Sequence, residues 1–462
     1  MIMAVYSRRE TVSVRVGATT IGGQAPIRLQ SMTTAPTMDT RSCVDQAIRI
    51  IEAGGELVRM TAQGRREALN MQNIKEELKA RGYDTPLVAD VHFNPDVADV
   101  AAQYVEKVRI NPGNYVDPAR TFKHLEYTDA EYAREINRIY DRFVPFLDIC
   151  RLHGTAIRIG VNHGSLSDRI MSRYGNTPAG MVESCMEFLR ICAEKDFMDV
   201  VISIKASNTV VMIQTVRLLV REMDREGMAF PIHLGVTEAG EGEDGRIKSA
   251  VGIGALLAEG IGDTIRVSLS EAPEREIPVA RKLVDYIQKS AQVRASAVIE
   301  EGILKLSYSE NILENLQLKA AMDAGALLVD GKARDLRLEN SGNAISEEQL
   351  RSTEEAILQA ARIRFSKPEY ISCPGCGRTL YNLEETIARV KAATGHLKGV
   401  KIAIMGCIVN GPGEMADADF GYVGAGRGRI SLYRGKDCIE KNIPEEQAVE
   451  RLLRLIENTL KN

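Results

Sequence analysis

Three cysteines and one glutamate near the C-terminus have residue types and spacing that can bind metal. Cys373 and Cys376 are separated by Pro and Gly, which bend the backbone so that both sulfurs can face one point. Cys407 lies 31 residues further on beside a glycine, and Glu414 follows in the motif Gly-Cys-Ile-Val-Asn-Gly-Pro-Gly-Glu. Thiolates grouped in this way bind Zn²⁺ or an iron–sulfur cluster. Three thiolates with one carboxylate would leave one metal ion with a displaceable oxygen ligand, which predicts a reactive site.

The other five cysteines do not share this spacing. Cys43, Cys150, Cys185 and Cys192 lie among apolar neighbours on segments with a helical pattern, and Cys438 stands alone in a charged stretch. We interpret all five as structural, because a free cysteine behaves as a small apolar side chain in a core. Eight cysteines in a chain of this length do not suggest a disulfide framework, and cytosolic thiols stay reduced and available for metal.

The composition is that of an ordinary globular protein. The chain has 462 residues, of which 44% are apolar and 26% charged, and a net charge of −4; this length predicts two or three domains. No excess of basic residues indicates a nucleic-acid partner, and no apolar run approaches the roughly 20 residues of a membrane span. The first residues lack the apolar core of a signal peptide, so the sequence predicts a cytoplasmic protein without a membrane partner.

Short β-rich runs alternate with longer helical patterns between residues 20 and 290. Eight βα units in about 270 residues are the size of a (β/α)8 barrel of the TIM type, which is the predicted fold of this part. A doubly wound parallel sheet is the alternative, although such a sheet usually has fewer strands and one switch point. The eight predicted strands are 27–32, 56–60, 86–90, 107–110, 155–159, 200–204, 231–236 and 263–268.

Polar residues stand at, or just after, the C-terminal end of nearly every predicted strand. In a barrel these positions converge on one mouth, where catalytic and binding groups lie. Any single one could equally be a surface or ion-paired residue, but the repetition over eight strands favours a site. The residues are Ser31, Arg59, Asp90, His92, Arg109, Asn111, Arg158, Asn162, Lys205, His233, Glu238, Arg266 and Ser268.

Five of these strand-end residues are cations. Gathering five positive charges in one pocket is unfavourable unless an anion neutralises them. The guanidinium group of arginine matches the oxygens of a phosphate, often with two hydrogen bonds. We therefore predict a strongly anionic substrate, above all a diphosphate, bound by Arg59, Arg109, Arg158, Lys205 and Arg266.

The chain after the barrel divides into a connecting segment and a second domain. The predicted boundaries are 1–290 for the barrel domain, 291–368 for the connecting segment and 369–462 for the domain with the cysteines. The connecting segment is too short for an independent domain and too long for a simple linker. Its patterns predict helices over 295–324 and 347–364 and a strand over 325–330. The patterns of the final domain predict strands over 400–405 and 429–433 and an amphipathic helix over 445–460.

Several longer motifs run in order through both parts of the chain. They are Gln-Ser-Met-Thr at 30–33, Val-Ala-Asp-Val-His-Phe at 88–93, Arg-Ile-Asn-Pro-Gly-Asn at 109–114, Arg-Ile-Gly-Val-Asn at 158–162, Gly-Ser-Leu at 164–166, Lys-Ala-Ser at 205–207, and the blocks 233–240 and 259–268. With both cysteine motifs, they resemble the 4-hydroxy-3-methylbut-2-enyl diphosphate synthase family, iron–sulfur enzymes of the non-mevalonate isoprenoid pathway. Chance agreement over so many ordered blocks is negligible.

The resemblance implies a fold, a cofactor and a reaction. The fold would be a (β/α)8 barrel followed by a smaller α+β domain like those of sulfite reductases. A [4Fe–4S] cluster would be bound by Cys373, Cys376, Cys407 and, at its fourth iron, Glu414. The reaction would be the reductive ring opening of 2-C-methyl-D-erythritol 2,4-cyclodiphosphate, with loss of water, to (E)-4-hydroxy-3-methylbut-2-enyl diphosphate. Ferredoxin or flavodoxin would supply two electrons, one at a time.

The strand-end residues fit this reaction. The cations would clamp the cyclic diphosphate and so aim the reacting carbons at the cluster. Substrate oxygen would displace Glu414 from the fourth iron, and Glu238 is the predicted proton donor. The alternative role of Glu238 is a carboxylate paired with one of the arginines. Further predicted substrate-binding residues are Asn111, Asn162, His233 and Ser268.

The chain departs from the simplest bacterial members of the family. Those pass almost directly from the last barrel helix to the first cysteine motif, whereas about 70 residues intervene here. Plant-like members carry an additional domain at this place, and residues 324–330 and 363–372 resemble its flanks with most of it absent. Short members close their site across a dimer and large members within one chain, and we predict a homodimer.

Two other functions are alternatives to this one. A structural zinc protein would use the Cys-x-x-Cys motif, but it normally needs a fourth thiolate or histidine, and none has suitable spacing. A barrel enzyme of the pterin or one-carbon type would explain the cation-rich mouth but not the cysteines. The absorption spectrum of the anaerobic protein separates these possibilities.

Overall fold

A computed structural model of the chain describes residues 6–117, 126–290, 297–408, 413, 415 and 417–460. Its largest part is an eight-stranded parallel barrel, which confirms the predicted fold over the doubly wound sheet. A hairpin of β1 (Val14–Val16) and β2 (Thr19–Ile21) precedes the barrel. The barrel strands are β3 (Arg28–Met32), β4 (Leu57–Ala62), β5 (Leu87–Val91), β6 (Lys107–Ile110), β7 (Ala156–Asn162), β8 (Val200–Lys205), β9 (His233–Leu234) and β10 (Thr264–Ile265).

The barrel is nearly closed and brings its strand ends to one face. Strands β3 to β8 pair in parallel in chain order, and β10 pairs between β3 and β9. The gap between β8 and β9 is joined by a bridge of Ile202 to Ile232, where the Ile202 amide donates to the Pro231 carbonyl at 2.9 Å. Because all the strands are parallel, the residues at their C-terminal ends surround one mouth.

Helices cover the outside of the barrel and begin at capping side chains. Asp39 accepts a hydrogen bond from the Ser42 amide, and Thr128 forms a reciprocal capping box with Glu131. The described helices are α1 (Thr40–Glu52), α2 (Arg65–Ala80), α3 (Pro95–Ala101), α4 (Pro112–Tyr115), α5 (Asp129–His153), α6 (Asp168–Tyr174), α7 (Pro178–Glu194), α8 (Thr209–Arg225), α9 (Gly242–Ala258) and α10 (Glu276–Ser290), with short 3-10 helices at His163–Ser165 and Pro273–Arg275. As predicted, four cysteines outside the metal-binding motifs are buried on these helices: Cys43, Cys150, Cys185 and Cys192.

The interior of the barrel changes from apolar to polar along its axis. At the N-terminal end, the β1–β2 hairpin packs Val14, Val16 and Ile21 against apolar strand residues such as Leu57 and Val88. Side chains alternate along a strand, so residues two positions nearer the mouth share the same inward face. Among the described strand residues, the interior also holds fully buried, long polar side chains, where most barrels carry branched apolar ones. They are Gln30, Lys107, Arg158 and His233.

The connecting segment folds onto the outside of the barrel. Its helices pack on α9, and a Cβ atom added to Gly254 would lie only 2.5 Å from Met322 Cγ. A Cβ atom on Gly325 would likewise lie 2.8 Å from the carbonyl oxygen of Val251, so glycines permit the close approach of the two helices. The elements are β11 (Val298–Glu300), β12 (Ile303–Tyr308), α11 (Leu313–Val329), β13 (Asp335–Asn340) and α12 (Glu347–Ala360).

Two of the predicted elements of this segment are wrong. The range 295–324 is not one helix, because residues 303–306 alternate between partly buried and buried positions and residues 303–308 pair with β13 in a three-stranded sheet. The range 325–330 is not a strand, because Gly325 and its neighbours continue α11 against α9. Both errors arise from contacts with distant parts of the chain, which override local preference.

The C-terminal domain is a five-stranded mixed sheet with helices on one face. Strands β14, β15 and β16 are parallel, whereas β17 and β18 are antiparallel to their neighbours. The helices bury Ile387, Leu452 and Ile456 in one cluster with sheet residues such as Ile402 and Ile404. The elements are β14 (Glu369–Ser372), α13 (Leu383–Thr394), β15 (Lys401–Met405), β16 (Phe420–Gly426), β17 (Arg429–Arg434), β18 (Asp437–Pro444) and α14 (Glu445–Leu460). This confirms an α+β domain, while the likeness to sulfite reductase domains stays a prediction.

Buried polar contacts attach this domain to the barrel of the same chain. Lys248 on α9 forms an ion pair with Glu369 at 3.0 Å, and both side chains are 9% exposed. Ser270, which follows β10, donates to the Cys373 carbonyl at 2.9 Å and lies 3.0 Å from the Ser372 hydroxyl. The end of β14 and the first cysteine are thereby fixed over the barrel mouth. Among the helices of the described ranges, none has the length and apolar character of a membrane span.

Candidate functional site

A pocket lies between the barrel mouth and the C-terminal domain. The barrel contributes polar residues from seven of its strands or the loops that follow them, and the C-terminal domain contributes all three cysteines of the predicted metal centre. One chain therefore brings the cysteines and the cations together without a second subunit. The residues that line this pocket include Met32, Arg59, Asp90, His92, Arg109, Arg158, Asn162, Lys205, Glu238, Arg266, Ser268, Cys373, Cys376, Arg378 and Cys407.

Three of the predicted site residues are not among those that line the pocket. The Asn111 side chain accepts from the Gly113 amide at 3.1 Å and donates to Ser165 at 2.8 Å, so it caps the start of α4. His233 is fully buried in the barrel interior, with Nδ1 at 3.3 Å from the Thr264 hydroxyl. Glu414 and most of the loop 410–414 lie outside the described residues.

The three cysteines are positioned by adjacent strands and one glycine turn. Cys373 directly follows β14 and Cys407 lies two residues beyond β15, which pairs with β14 in parallel. Cys376 lies on a turn in which Gly375 adopts a φ of +75°, a left-handed conformation that favours glycine. The Gly406 amide donates to Cys373 Sγ at 3.2 Å. This arrangement places all three cysteines in the lining of the pocket at the barrel mouth.

The donor set fits an iron–sulfur cluster. Burial raises the pKa of the Cys373 thiol to about 12, so a bound metal would have to supply the positive charge that favours its thiolate. Within the part of the chain that the structure describes, no group of three His, Cys, Asp or Glu side chains surrounds one point closely enough to ligate a single ion. A cluster does not require such convergence, because each thiolate binds its own iron.

Two of the five predicted cations are already paired with carboxylates. Arg109 donates to Asp90 at 3.0 Å and to the Gly160 carbonyl at 2.9 Å. Arg266 forms a two-fold pair with Glu276 through Nε at 2.9 Å and Nη2 at 2.8 Å. Glu276 also accepts from Ser31 at 2.6 Å, which explains the polar residue at the end of β3. These two arginines are therefore held rigidly and bring little unbalanced charge.

The other three predicted cations line the pocket and form no ion pair within 4.0 Å among the described residues, although Asp90 acts on Arg59 and Arg158 from a longer distance. Arg158 is fully buried, and its Nε and Nη1 atoms have no hydrogen-bond partner among the described residues. Burial and the neighbouring cations Arg59 and Arg109 hold the pKa of Arg158 well below its usual value, and burial with Arg59 does the same for Lys205. Arg59 contacts Met32 Sδ through Nε at 3.0 Å, and burial lowers its pKa to about 10. The pocket is therefore built for an anion.

Two side chains at the mouth are suited to handle protons or accept hydrogen bonds. Burial and Arg109 lower the pKa of His92 to about 3, so its ring is neutral near pH 7, with Nε2 at 2.5 Å from Arg109 Nη1. Glu238 is 5% exposed and adopts a φ of +49°, a left-handed backbone conformation that non-glycine residues rarely occupy. Backbone strain of this kind persists only where the surrounding fold imposes it, and it is common at functional sites.

Sequence reasoning missed Arg378 as a pocket residue. Arg378 belongs to the first cysteine motif, but its side chain is 8% exposed and its Nη2 lies 3.8 Å from Asp90 Oδ2 across the domain boundary. Burial lowers the pKa of Arg378, but Cys376 and Asp90 outweigh that effect and raise the pKa above its usual value. The motif itself was the only sequence signal, since nothing local predicts that residue 378 reaches the barrel.

Lys107 is a buried cation that the site does not use directly. It precedes Arg109 by two residues on β6, and its Nζ has no hydrogen-bond partner within the described ranges. Burial, together with Arg158 and Arg59, holds the pKa of Lys107 well below its usual value of 10.5. At a pH between the lowered pKa of the folded protein and the usual pKa of the unfolded chain, Lys107 is protonated only in the unfolded chain. The free energy of unfolding therefore rises with pH in this range.

We expect Lys107→Met to stabilise the protein by about 1–4 kcal/mol near pH 7, because methionine fills a similar volume without a buried amine. The gain should shrink as the pH rises towards about 10.5. Urea unfolding at about pH 7 and about pH 10 measures both effects. The exposed Lys79→Met on α2 serves as the control and should change stability by less than about 0.5 kcal/mol. A less stable Lys107→Met protein at neutral pH would contradict this assignment.

Two family models match the two parts that form the pocket. The model described as "GcpE TIM-barrel domain" matches residues 11–281. The model described as "GcpE protein C-terminal domain" matches residues 369–458. The matched ranges contain every described residue that lines the pocket.

Curated relatives align with almost the entire chain. The 4-hydroxy-3-methylbut-2-en-1-yl diphosphate synthase (flavodoxin) of Phocaeicola vulgatus is 54% identical, with 98% of this chain and 98% of the relative covered. The protein of the same name in Bacteroides thetaiotaomicron is 53% identical, with 99% of this chain and 98% of the relative covered. The one in Akkermansia muciniphila is 42% identical, with 98% and 96% covered.

These relatives are longer than the chain. The alignment with the Phocaeicola vulgatus protein spans 601 positions, whereas this chain has 462 residues, so at least 139 positions of the alignment contain no residue of this chain. A stretch of that length is the size of a domain. This supports the interpretation that most of an additional domain is absent here, while its former place in the connecting segment stays a prediction.

Proposed function

Because the chain belongs to the GcpE family, we propose that it catalyses the reaction for which its relatives are named. The substrate would be 2-C-methyl-D-erythritol 2,4-cyclodiphosphate and the product (E)-4-hydroxy-3-methylbut-2-enyl diphosphate. Two electrons and two protons enter the reaction, the ring opens and one water molecule leaves. The observation that carries this proposal is a pocket that three cysteines line together with the cations Arg59, Arg158 and Lys205.

The cyclic diphosphate would bind at the centre of the barrel mouth. Arg158, Lys205 and Arg59 line the pocket and form no ion pair within 4.0 Å among the described residues, so they would contact the phosphate oxygens directly. Asn162 and Ser268 line the same pocket and would add neutral hydrogen bonds. Holding the diphosphate in this way fixes the carbon skeleton under the cysteines and lowers the entropic part of the barrier.

The cysteines would hold the cofactor. We propose that Cys373, Cys376 and Cys407 bind a [4Fe–4S] cluster and that Glu414 is its fourth ligand. When bound, the cluster would supply the electrons one at a time and a Lewis-acidic iron. Glu238 is the proposed proton donor, because its buried carboxyl lies in the pocket that the substrate would fill.

The proposed electron donor is flavodoxin, which the names of the relatives contain. Ferredoxin stays an alternative donor, because both proteins deliver single electrons. The homodimer also stays a prediction. A dimer is not needed to complete the pocket, since residues of one chain line it on both sides.

Anaerobic reconstitution with iron and sulfide tests the cofactor and the reaction together. We expect a brown protein with a broad visible absorption that bleaches on reduction, and conversion of the cyclodiphosphate when reduced flavodoxin is present. A colourless protein that binds zinc stoichiometrically would contradict the cluster. A protein with an intact cluster that leaves the cyclodiphosphate unchanged would contradict the proposed substrate.

A further inference from the structure

Alternate strands of the barrel place one layer of side chains in its interior, beneath the pocket. The ladder registers lead from Gln30 through β4 to β5 and reach it two residues before Val88. The same offset of two residues leads from Val88 to Arg158 on β7. It leads again from Arg158 to His233 on β9, and from His233 back to Gln30. Such offsets close a barrel with a shear of eight, so these four side chains form one layer, here called the polar layer.

Lys107 lies directly beneath the polar layer. It pairs in register with Val88 of that layer on one side and with Ala156, two residues before Arg158, on the other. Lys107 therefore lies one level nearer the N-terminal end of the barrel, at the level of the apolar Leu57. Its ammonium group can reach polar partners in the layer above.

Several polar atoms of these two levels have no hydrogen-bond partner among the described residues. They are Nε2 and Oε1 of Gln30, Nζ of Lys107, Nε and Nη1 of Arg158, and Nε2 of His233. All four side chains are fully buried. Buried polar atoms in folded proteins are almost always hydrogen-bonded to protein, to ordered water or to an ion. The concentration of such atoms in two adjacent levels indicates a bound ligand.

The charges of the two levels indicate which ligand fits. The charged groups that act most strongly on Lys107 are themselves cations, Arg158 and Arg59. Burial, together with Arg158 and Lys205, holds the pKa of His233 well below its usual value, so its ring is neutral and adds no charge. Water would satisfy the hydrogen bonds but would leave the charges unbalanced, whereas buried charges are normally paired. Because the interior of such a barrel is packed, the ligand must be small.

We propose that the barrel binds one small inorganic anion, of the size and charge of chloride, between Lys107 and the polar layer. The ammonium group of Lys107, the guanidinium group of Arg158 and the amide nitrogen of Gln30 would donate to it. Arg158 also lines the pocket, so it would contact the anion on one side and the substrate on the other. The anion balances charge that the fold itself leaves unpaired, and its binding does not depend on which substrate the pocket takes.

Bromide, which replaces chloride and scatters anomalously, tests the position of the site. Crystals of the anaerobically reconstituted protein are soaked in bromide without substrate. We expect one anomalous peak between Lys107 and Arg158, inside the barrel. A peak only beside Lys205 in the pocket, or ordered water without an anomalous signal between Lys107 and Arg158, would overturn the proposal.

Urea unfolding at constant ionic strength tests binding in solution. Chloride is exchanged stepwise for gluconate, an anion too large for the packed interior. Above the dissociation constant, the unfolding equilibrium constant of the wild type should fall about tenfold for each tenfold rise in chloride. Lys107→Met should lose most of this response, so its gain in stability should be largest without chloride. Lys205→Met, which alters only the pocket, should keep the response.

Gln30→Glu gives the opposite test, because its carboxylate supplies the missing negative charge within the polar layer. Without chloride, this variant should lower the unfolding equilibrium constant by about tenfold or more, and it should no longer respond to chloride. Gln288→Glu is the matched control, since Gln288 is exposed on α10, and it should match the wild type in both respects.

Two further outcomes would contradict the proposed anion site. A chloride response that persists in Lys107→Met and Gln30→Glu but disappears in Lys205→Met would assign the halide to the pocket alone. A bromide peak in the crystal without any chloride response of the wild type in solution would show an adventitious ion only.

Discussion

Arg158→Met is expected to weaken cyclodiphosphate binding by roughly 30-fold or more, corresponding to a loss of about 2 kcal/mol or more. The same substitution should raise the free energy of unfolding of the ligand-free protein by about 1–4 kcal/mol. Both effects have one cause: Arg158 is fully buried with Nε and Nη1 unpaired in the described structure. Its charge is unfavourable until an anion neutralises it, so the residue stabilises the complex and destabilises the free fold.

Arg266→Met is the matched comparison and should act in the opposite direction on stability. Arg266 is equally buried, but its guanidinium pairs with Glu276 through two hydrogen bonds. Removing it leaves the Glu276 carboxylate uncompensated in the interior, which should destabilise the protein by about 3–5 kcal/mol. Urea unfolding without ligand and calorimetry with the cyclodiphosphate measure the two variants side by side. Destabilisation of similar size by both substitutions would contradict the distinction between paired and unpaired cations.

Cys407→Ser is expected to remove the visible absorption of the reconstituted protein and to reduce turnover by roughly a thousandfold or more. The reason is that the cluster needs all of its thiolate ligands at once, so the loss of one ligand removes the function of the others. Cys407 lines the same pocket as Cys373 and Cys376, at the end of the strand that pairs with β14. Serine is nearly isosteric, so the fold of the domain should persist and a change in spectrum reports on the ligand alone.

Cys438→Ser provides the control for this substitution. Cys438 belongs to the same domain but lies on β18, with its thiol donating to the Glu440 carbonyl at 3.6 Å. Iron content, absorption and turnover of Cys438→Ser should equal those of the wild type. Full iron content and activity in Cys407→Ser would show that this cysteine is not a ligand.

The chain has fewer residues than its relatives, and its connecting segment still spans the distance from the barrel to the C-terminal domain. Its helix α11 packs closely on α9 through Gly254 and Gly325, and Thr209 on α8 donates to the Ala360 carbonyl at 2.5 Å at the end of α12. The chain then reaches Glu369, which pairs with Lys248 on α9. The segment thus lies against the same barrel that the C-terminal domain covers. This path supports closure of the pocket within one chain.

Local patterns in the sequence were sufficient to locate the barrel, its polar strand ends and the three cysteines. Strands with a continuous apolar character between helical periods are typical of a parallel barrel, and that regularity does not depend on distant contacts. The ends of parallel strands must meet at one mouth, so Arg59, Arg158 and Lys205 could be assigned to one pocket in advance. The close spacing of Cys373 and Cys376 likewise depends only on four consecutive residues.

Only the tertiary structure decided how the charges of the site are balanced. Two of the five cations form ion pairs because neighbouring elements pack together: Arg109 with Asp90, and Arg266 with Glu276. The sequence patterns do not distinguish these two cations from the other three. The burial of His233 below the mouth is likewise a property of the packed barrel. Arg378 reaches the barrel because Gly377 fits against Thr61, a contact between residues more than 300 positions apart. Burial and charge pairing depend on distances in space, whereas the sequence records only distances along the chain.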